Sequence, residues 1–259
     1  MKASFIGFFL LVLAVSQNCE AVSVSHTLEV KVGIFDAAKC TLYYSFDDTK
    51  YNAESKVETT GIFGGIYPFV GKYTSGGKIN GDNFITQTYR YLAKSRFNTR
   101  TKELVYDDKG NLLYRLSSKN DKAKKSDISA KKENSGATDL QTVFVMLAKQ
   151  VAQKGYCSSE YPVFDGKKSF KVGFVDLGAQ KSVEKNQKFS GDELLCSMYI
   201  DNGGQKNDDL LFDNTAEKQV TISLMRSEKS GVPFVTQIKV SGSPLGEIVA
   251  KTTSIKIEE

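Results

Sequence analysis

The feature that most constrains this chain is a two-residue hydrophobic period that recurs along nearly its whole length. Leu28, Val30 and Val32 alternate with polar neighbours, and "TLYYSF" (41–46), "FITQTYRYL" (84–92) and "ELVYDDKGNLLYRLS" (103–117) follow in the same style. Alternation sends successive side chains to opposite faces of a pleated strand, so each segment has one face to bury. The last segment divides into two strands around Asp108, Lys109 and Gly110, residues suited to a tight turn. The period returns in Phe170, Val172 and Phe174, then in "LLCSMYI" (194–200), "QVTISLM" (219–225), "FVTQIKVS" (234–241) and "EIVAKTTSIKI" (247–257). Short strands separated by turn residues indicate an antiparallel sheet. The expected fold is therefore mainly β: one large, curved antiparallel sheet, a half-barrel or open barrel, with one amphipathic helix packed on it.

Three stretches interrupt the pattern. "TGIFGGIYPFVGKYTSGG" (60–77) is rich in glycine and aromatics, which suits a sharply bent or bulged strand pair whose rings refill the space the glycines leave. Residues 119–136, "KNDKAKKSDISAKKENSG", offer almost nothing to bury and read as a mobile Lys-rich loop. The helix follows directly. Leu140, Val143, Phe144, Leu147, Ala148 and Val151 recur at helical spacing, Thr138 and Gln141 form a capping box, and Gly155 ends it. Gln141, Lys149, Gln150, Gln153 and Lys154 fall on its other side.

The N-terminus reads as an export signal. Lys2 precedes an apolar run, "SFIGFFLLVLAVS" (4–16), too short to span a bilayer core of about 30 Å. Cys19 and Ala21 put small side chains where a signal peptidase requires them, so residues 1–21 are expected to be the signal peptide and 22–259 a single β-rich domain. Without a later long apolar run, no transmembrane segment is expected in the mature chain. The formal net charge of +5 is carried chiefly by Lys, with Arg only at Arg90, Arg96, Arg100, Arg115 and Arg226. Guanine and phosphate readout favour Arg. The excess reads as a solvated face, and nucleic acid is not an expected partner. No Asn-x-Ser/Thr sequon occurs, which favours a bacterial periplasm over a eukaryotic secretory route, with secretion or peripheral membrane association as the alternative location.

Cys40, Cys157 and Cys196 survive cleavage, and in an oxidising compartment an odd count means one pair and one spare. Cys157 lies just after the helix and Cys196 inside a strand, so these are the expected disulfide. In "GYCSSEYPVFDGKKSFKVGF" (155–174), Asp165 and Gly166 are a hairpin signal, and strands resume at Phe164. Chemistry is harder to find. His26 is the one histidine, placed at the start of the first strand, where a surface or capping role is expected; it leaves nucleophilic triads and zinc sites without imidazoles. "DNGGQKNDD" (201–209) lacks the order of a calcium loop and reads as a polar turn. No metal and no cofactor are expected.

The polar break, the helix, Cys157, "PVFDGKKSFKV" (162–172), Cys196 in a strand and the β-rich tail together resemble a family of exported bacterial proteins, domain of unknown function 3108, particularly its proteobacterial members. "TTG" (59–61) and "YTSGG" (73–77) look like that family's opening strands. The Lys-rich insert and Cys40 depart from it. The resemblance implies a periplasmic, mostly β protein and brings no catalytic residues with it. The expected function is a non-catalytic binding or scaffolding module of the cell envelope, for a lipid, lipoprotein or envelope polymer. Tyr67, Phe69, Tyr73, Tyr89 and Tyr91 are the candidate ligand-binding residues, although each also suits a plain core. The alternative is an envelope hydrolase using Asp and Glu carboxylates.

Overall fold

The computed structural model describes residues 21–127, 137–166, 168–181, 192–203, 219–227, 231–244 and 246–258. The chain opens with β1 (Val22–Val32), β2 (Phe35–Phe46), β3 (Lys50–Thr59), a six-residue helix α1 (Gly61–Ile66), β4 (Phe69–Asn80) and β5 (Asn83–Ser95). It continues with β6 (Thr99–Tyr106), β7 (Leu112–Lys119), β8 (Lys122–Asp127) and the helix α2 (Leu140–Lys154). Six strands complete it: β9 (Ser159–Phe164), β10 (Ser169–Lys181), β11 (Asp192–Asp201), β12 (Gln219–Arg226), β13 (Pro233–Ser241) and β14 (Ile248–Glu258). All fourteen strands form one open antiparallel sheet in the order β8-β7-β6-β5-β4-β3-β2-β1-β14-β13-β12-β11-β10-β9. The first and last strands therefore pair at the centre, and α2 connects the two edges.

That connection makes the sheet curl. Thr138, just ahead of α2, forms a parallel bridge with Val163 of β9: its N–H donates to the Pro162 carbonyl (3.0 Å) and its carbonyl accepts from Phe164 (2.8 Å). Its hydroxyl lies 2.8 Å from that of Thr86 in β5, on the opposite half of the sheet. Next to it, Asp139 caps α2. One carboxylate oxygen accepts from the Gln141 and Thr142 amides (2.9 and 3.1 Å) and from the Ser75 hydroxyl of β4 (2.6 Å); the other takes the Thr142 hydroxyl (2.7 Å). Residues 138 and 139 thus tie both halves of the sheet to the start of one helix. Pro162 sits in an edge strand, where a missing N–H breaks no ladder.

The helix lies between two walls. Val143, Leu147 and Val151 join Val172, Phe174, Cys196, Met198 and Ile222 in the largest core cluster, whereas Val145 packs with Tyr51, Ala53 and Ile79 of the first half. Each such fully buried aliphatic side chain stabilises the fold by roughly 1.5–3 kcal/mol. Being sandwiched also changes the fate of the expected polar side. Lys149 is buried, its ammonium bonded to the Gly81 carbonyl (2.9 Å) at the β4–β5 turn and set over the Phe84 ring. Gly155 ends the helix in the left-handed region (φ 81°), its N–H on the Val151 carbonyl. Two residues later the Cys157–Cys196 disulfide, fully buried, fastens the helix exit to β11.

Several sequence expectations need correction. The cap is Asp139, not Thr138, whose backbone is committed to β9. The stretch 60–77 is not wholly a strand pair: Gly61, at φ 55°, starts α1, and Thr59 Oγ1 bonds the Phe69 N–H (2.9 Å) and the Tyr67 carbonyl (3.0 Å) to close that loop. Only its end carries a bulge, at Gly76/Gly77, where a Cβ on Gly77 would stand 2.1 Å from the Ile85 carbonyl oxygen. The Lys-rich loop does not begin at 119. Lys122–Asp127 form β8, paired to β7 through a turn in which Asn120 and Asp121 take positive φ. Residues 128–136, residues 1–20 of the expected signal peptide and residues 204–209 of the expected polar turn lie outside the described residues. The strand expected to resume at Phe164 instead ends there, and Asp165 and Gly166 (φ 87°) turn it into β10.

His26 is the other correction. β14 covers the free side of β1, so His26 stands in mid-sheet and is 2 % exposed. It lines an apolar cavity of about 220 Å³ between α2 and the sheet centre, with Leu42, Ala53, Phe144, Ile222 and Phe234. The ring hydrogen-bonds the Val235 backbone, Nδ1 has no partner among the described residues, and burial pushes its pKa down to about 4.

Two outcomes are expected. Asp139→Ala should lower stability by about 1–2 kcal/mol in urea unfolding at neutral pH, through loss of the cap and its hydroxyl partners; an unchanged midpoint would show that this cap carries no stability. For His26, the unfolded imidazole takes up its proton near 6.5 and the folded one near 4, so the unfolded state binds more protons between these values. Stability present above about pH 6.5 should then fall by about 3 kcal/mol as pH drops to 4. Burial raises the Asp139 pKa, which acts in the opposite sense, but that contribution is common to wild type and His26→Phe. The variant should therefore lose the acid-side slope attributable to His26, and parallel pH profiles for the two proteins would refute the assignment.

Candidate ligand-binding site

Register sorts the side chains of β4 to β8 between two faces. Ser75 and Ser55 touch α2, Ser75 through Asp139 and Ser55 through the Gln141 side chain (2.6 Å), so their side of the sheet is the concave, inner one. Tyr73 is two residues from Ser75 and directly opposite Ser55 and Tyr91; Tyr89 is opposite Ser75. These three tyrosines therefore share the inner face, and the Tyr73 and Tyr91 rings lie 5.1 Å apart. Lys102 is opposite Tyr91, and Leu104 is opposite Tyr89. Inner positions on the next strands are Arg115, Ser117 and Lys119 of β7 and Lys122 and Lys124 of β8.

Together these residues bound an open hollow of about 700 Å³, with Tyr73, Tyr89 and Tyr91 on one wall and Arg100, Lys102, Lys119, Lys122 and Lys124 on the other. The volume is within the range of small-molecule sites. The tip of the β9–β10 hairpin closes one side. Lys102 and Arg115 donate to the carbonyls of Asp165 and Gly166, and a Cβ on Gly166 would meet Lys102 Cδ at 2.9 Å and Leu104 Cδ2 at 3.0 Å. Beneath the tip, Phe164 packs with Leu104, Tyr106 and Leu112. Asp165 belongs to the turn itself, accepting the Lys168 N–H (2.7 Å).

Past Tyr73, Tyr89 and Asp165 a second recess of about 250 Å³ begins, walled by Leu140, Val163, Phe170 and Ile200 and ending at the α2 N-terminus. The two recesses share those three residues, so the wall changes from cationic through phenolic to mostly apolar, with Asp139, Lys168 and Asn202 completing the second lining. Burial keeps the phenols protonated: it pushes Tyr73 up to about 12 and raises Tyr89 and Tyr91 as well. They are neutral donors with apolar faces, suited to the boundary between a polar and an apolar ligand part.

Of the five aromatics that the sequence singles out, the fold gathers Tyr73, Tyr89 and Tyr91. Phe69 stands beside Tyr73 across Gly71, where a Cβ would be 3.1 Å from both rings, at the margin of the hollow. Tyr67 follows α1, is 56 % exposed and does not line the hollow, touching it only through its electrostatic effect on Tyr91. Arg100, Lys119, Lys122 and Lys124 escaped notice because the sequence places the last three in or beside a loop. Their signal is the alternation Arg100/Lys102 and Lys122/Lys124, which acquires meaning once the strands are paired. Among the described residues no cluster of three or more His, Cys, Asp or Glu could hold a metal ion, and no helix is long and apolar enough to cross a membrane.

The fold is similar to the crystal structure of a beta-barrel-like protein of domain of unknown function DUF1849 from Brucella abortus, with a TM-score of 0.52 at 9 % identity over 92 % of this chain and 98 % of that one. At that identity the likeness concerns architecture alone. A search of curated proteins returned no match. The model of the family described as "Protein of unknown function (DUF3108)" matches residues 27–243, the span holding the helix, the disulfide and both recesses, and the chain belongs to that family.

Proposed function

We propose that the chain is a non-catalytic binding module of the bacterial cell envelope, exported to the periplasm, whose ligand is an amphipathic envelope component such as a lipid or the lipid-bearing part of a lipoprotein. The observation that carries this reading is the pair of inner recesses that share Tyr73, Tyr89 and Asp165, one lined by cations and the other mostly by apolar side chains. A ligand with a polar head and an aliphatic body would match both ends. Export rests on the N-terminal sequence, with its basic residue, short apolar run and small residues at Cys19 and Ala21.

The hydrolase alternative gains no support from the carboxylates. The buried acidic residues among those described are Asp139 and Glu193. Asp139 is consumed by the helix cap, and Glu193 accepts the Thr236 hydroxyl (2.9 Å). Neither lines the hollow of the three tyrosines; Asp139 lines the second recess, but there both of its oxygens are taken up by the cap and its hydroxyl partners.

Native mass spectrometry of the protein isolated from the periplasm of an expressing cell should reveal a bound amphiphile, and Tyr73→Ala/Tyr89→Ala should lose it while keeping the wild-type circular dichroism. A clean apo mass from repeated preparations would overturn the reading.

A further inference from the structure

The inner face of β6 to β8 holds an arrangement that a sheet does not adopt for stability. Arg100 is directly opposite Lys119, and Lys119 directly opposite Lys122, so three cations form one row across three strands. A second row runs Lys102, Ser117, Lys124. Like charges directly opposite each other destabilise a strand pair. The outer face of the same half follows the ordinary rule: Lys72 pairs with Glu54 (3.0 Å), Lys56 with Glu58 (2.6 Å) and Arg90 with Glu103 (3.0 Å). On the inner face, Arg100, Lys119, Lys122 and Lys124 have no carboxylate at ion-pair distance among the described residues. Asp165, the one carboxylate in the lining of the hollow, is held in its turn by Lys168.

Neighbouring strands are about 4.8 Å apart, so the row spans about 10 Å along a concave wall. Unpaired cations converging on a hollow focus a positive potential into it. Lysines act as point-charge partners for phosphate and arginine as a bidentate one. The recess beyond the neutral tyrosines has one cation in its lining, Lys168, beside the carboxylates of Asp139 and Asp165, against five cations around the hollow, so the hollow is the stronger place for an anionic group. We propose that the row Arg100–Lys119–Lys122, with Lys124 beside it, receives the dianionic phosphate head of an amphiphile whose acyl portion passes Tyr73 and Tyr89 toward Leu140, Phe170 and Ile200. This rests on the binding-module reading above and specifies its ligand as a phosphate-bearing lipid.

The test is calorimetric titration of the full mature chain with dihexanoyl phosphatidic acid, dihexanoyl phosphatidylcholine and inorganic pyrophosphate, each below any aggregation threshold. Phosphatidic acid should bind about tenfold or more tighter than phosphatidylcholine, weaken with added salt, and lose about tenfold or more of its affinity in Lys119→Glu/Lys122→Glu. Lys56→Glu/Lys72→Glu, an equal charge change on the outer face, should stay within about twofold of wild type. Circular dichroism confirms that both variants fold. Equal affinity for the two lipids, or equal effects of the two charge reversals, overturns the head-group assignment. If Tyr73→Ala/Tyr89→Ala then abolishes binding of both lipids, the amphiphile site itself still stands. Pyrophosphate binding as tightly as phosphatidic acid marks a free-anion site and also overturns the proposal. Failure of both lipids to bind removes it together with the reading on which it rests.

Discussion

Asp139 is a buried carboxylate with every oxygen committed, and the architecture hinges on it. A carboxyl group taken from water costs several kcal/mol unless its lone pairs are satisfied. Here the satisfying groups are the first amides of α2 and the Ser75 and Thr142 hydroxyls. The same carboxylate that starts the helix therefore fixes where it starts relative to β4. Thr138, one residue earlier, fixes it relative to β9. Between them they bring a helix into the concavity of the sheet, where it covers the apolar inner faces that form the core clusters. The depressed basicity of His26, the burial of Lys149 and the second recess, which ends at the α2 N-terminus, all follow from the helix lying inside.

Position inside the curl also explains why cores form on two sides of one helix. Val143, Leu147 and Val151 complete the second half of the sheet, and Val145 the first. The disulfide then secures the helix at its far end, so both termini of α2 are tethered. Closing a loop of this length is worth roughly 4 kcal/mol in the chain-entropy model. A rigidly held helix leaves the space beside it defined, which is what a binding recess requires.

Much of this was legible in the sequence. Strict alternation made most strands visible, helical spacing and Gly155 delimited α2, and a cysteine after the helix with another inside a strand foretold the bridge. The rest failed for identifiable reasons. β8 carries lysines on its inner face, so a search for an apolar face passes over it. α1 is built from Gly, Ile and Phe, poor helix formers individually, and is held by Thr59 and the closure of the loop rather than by propensity. Thr138 and Asp139 are both capping types, and the pairing of Thr138 with β9 leaves the cap to Asp139. His26 looked terminal because its strand is first in the chain; that β14 would cover it is a long-range fact. The same holds for the site. Tyr89 and Tyr91 share a strand and show their common face by spacing, whereas the convergence of Arg100, Lys119 and Lys122 exists only in the paired register.

The seam between β1 and β14 has a temporal meaning. During synthesis β1 emerges first, yet one of its two hydrogen-bonding edges stays vacant until residues 248–258 appear. A nascent chain of this topology can assemble local hairpins early, but the pairing that unites them comes last. Completion of the sheet is thereby reserved until residues 248–258 are free to pair with β1.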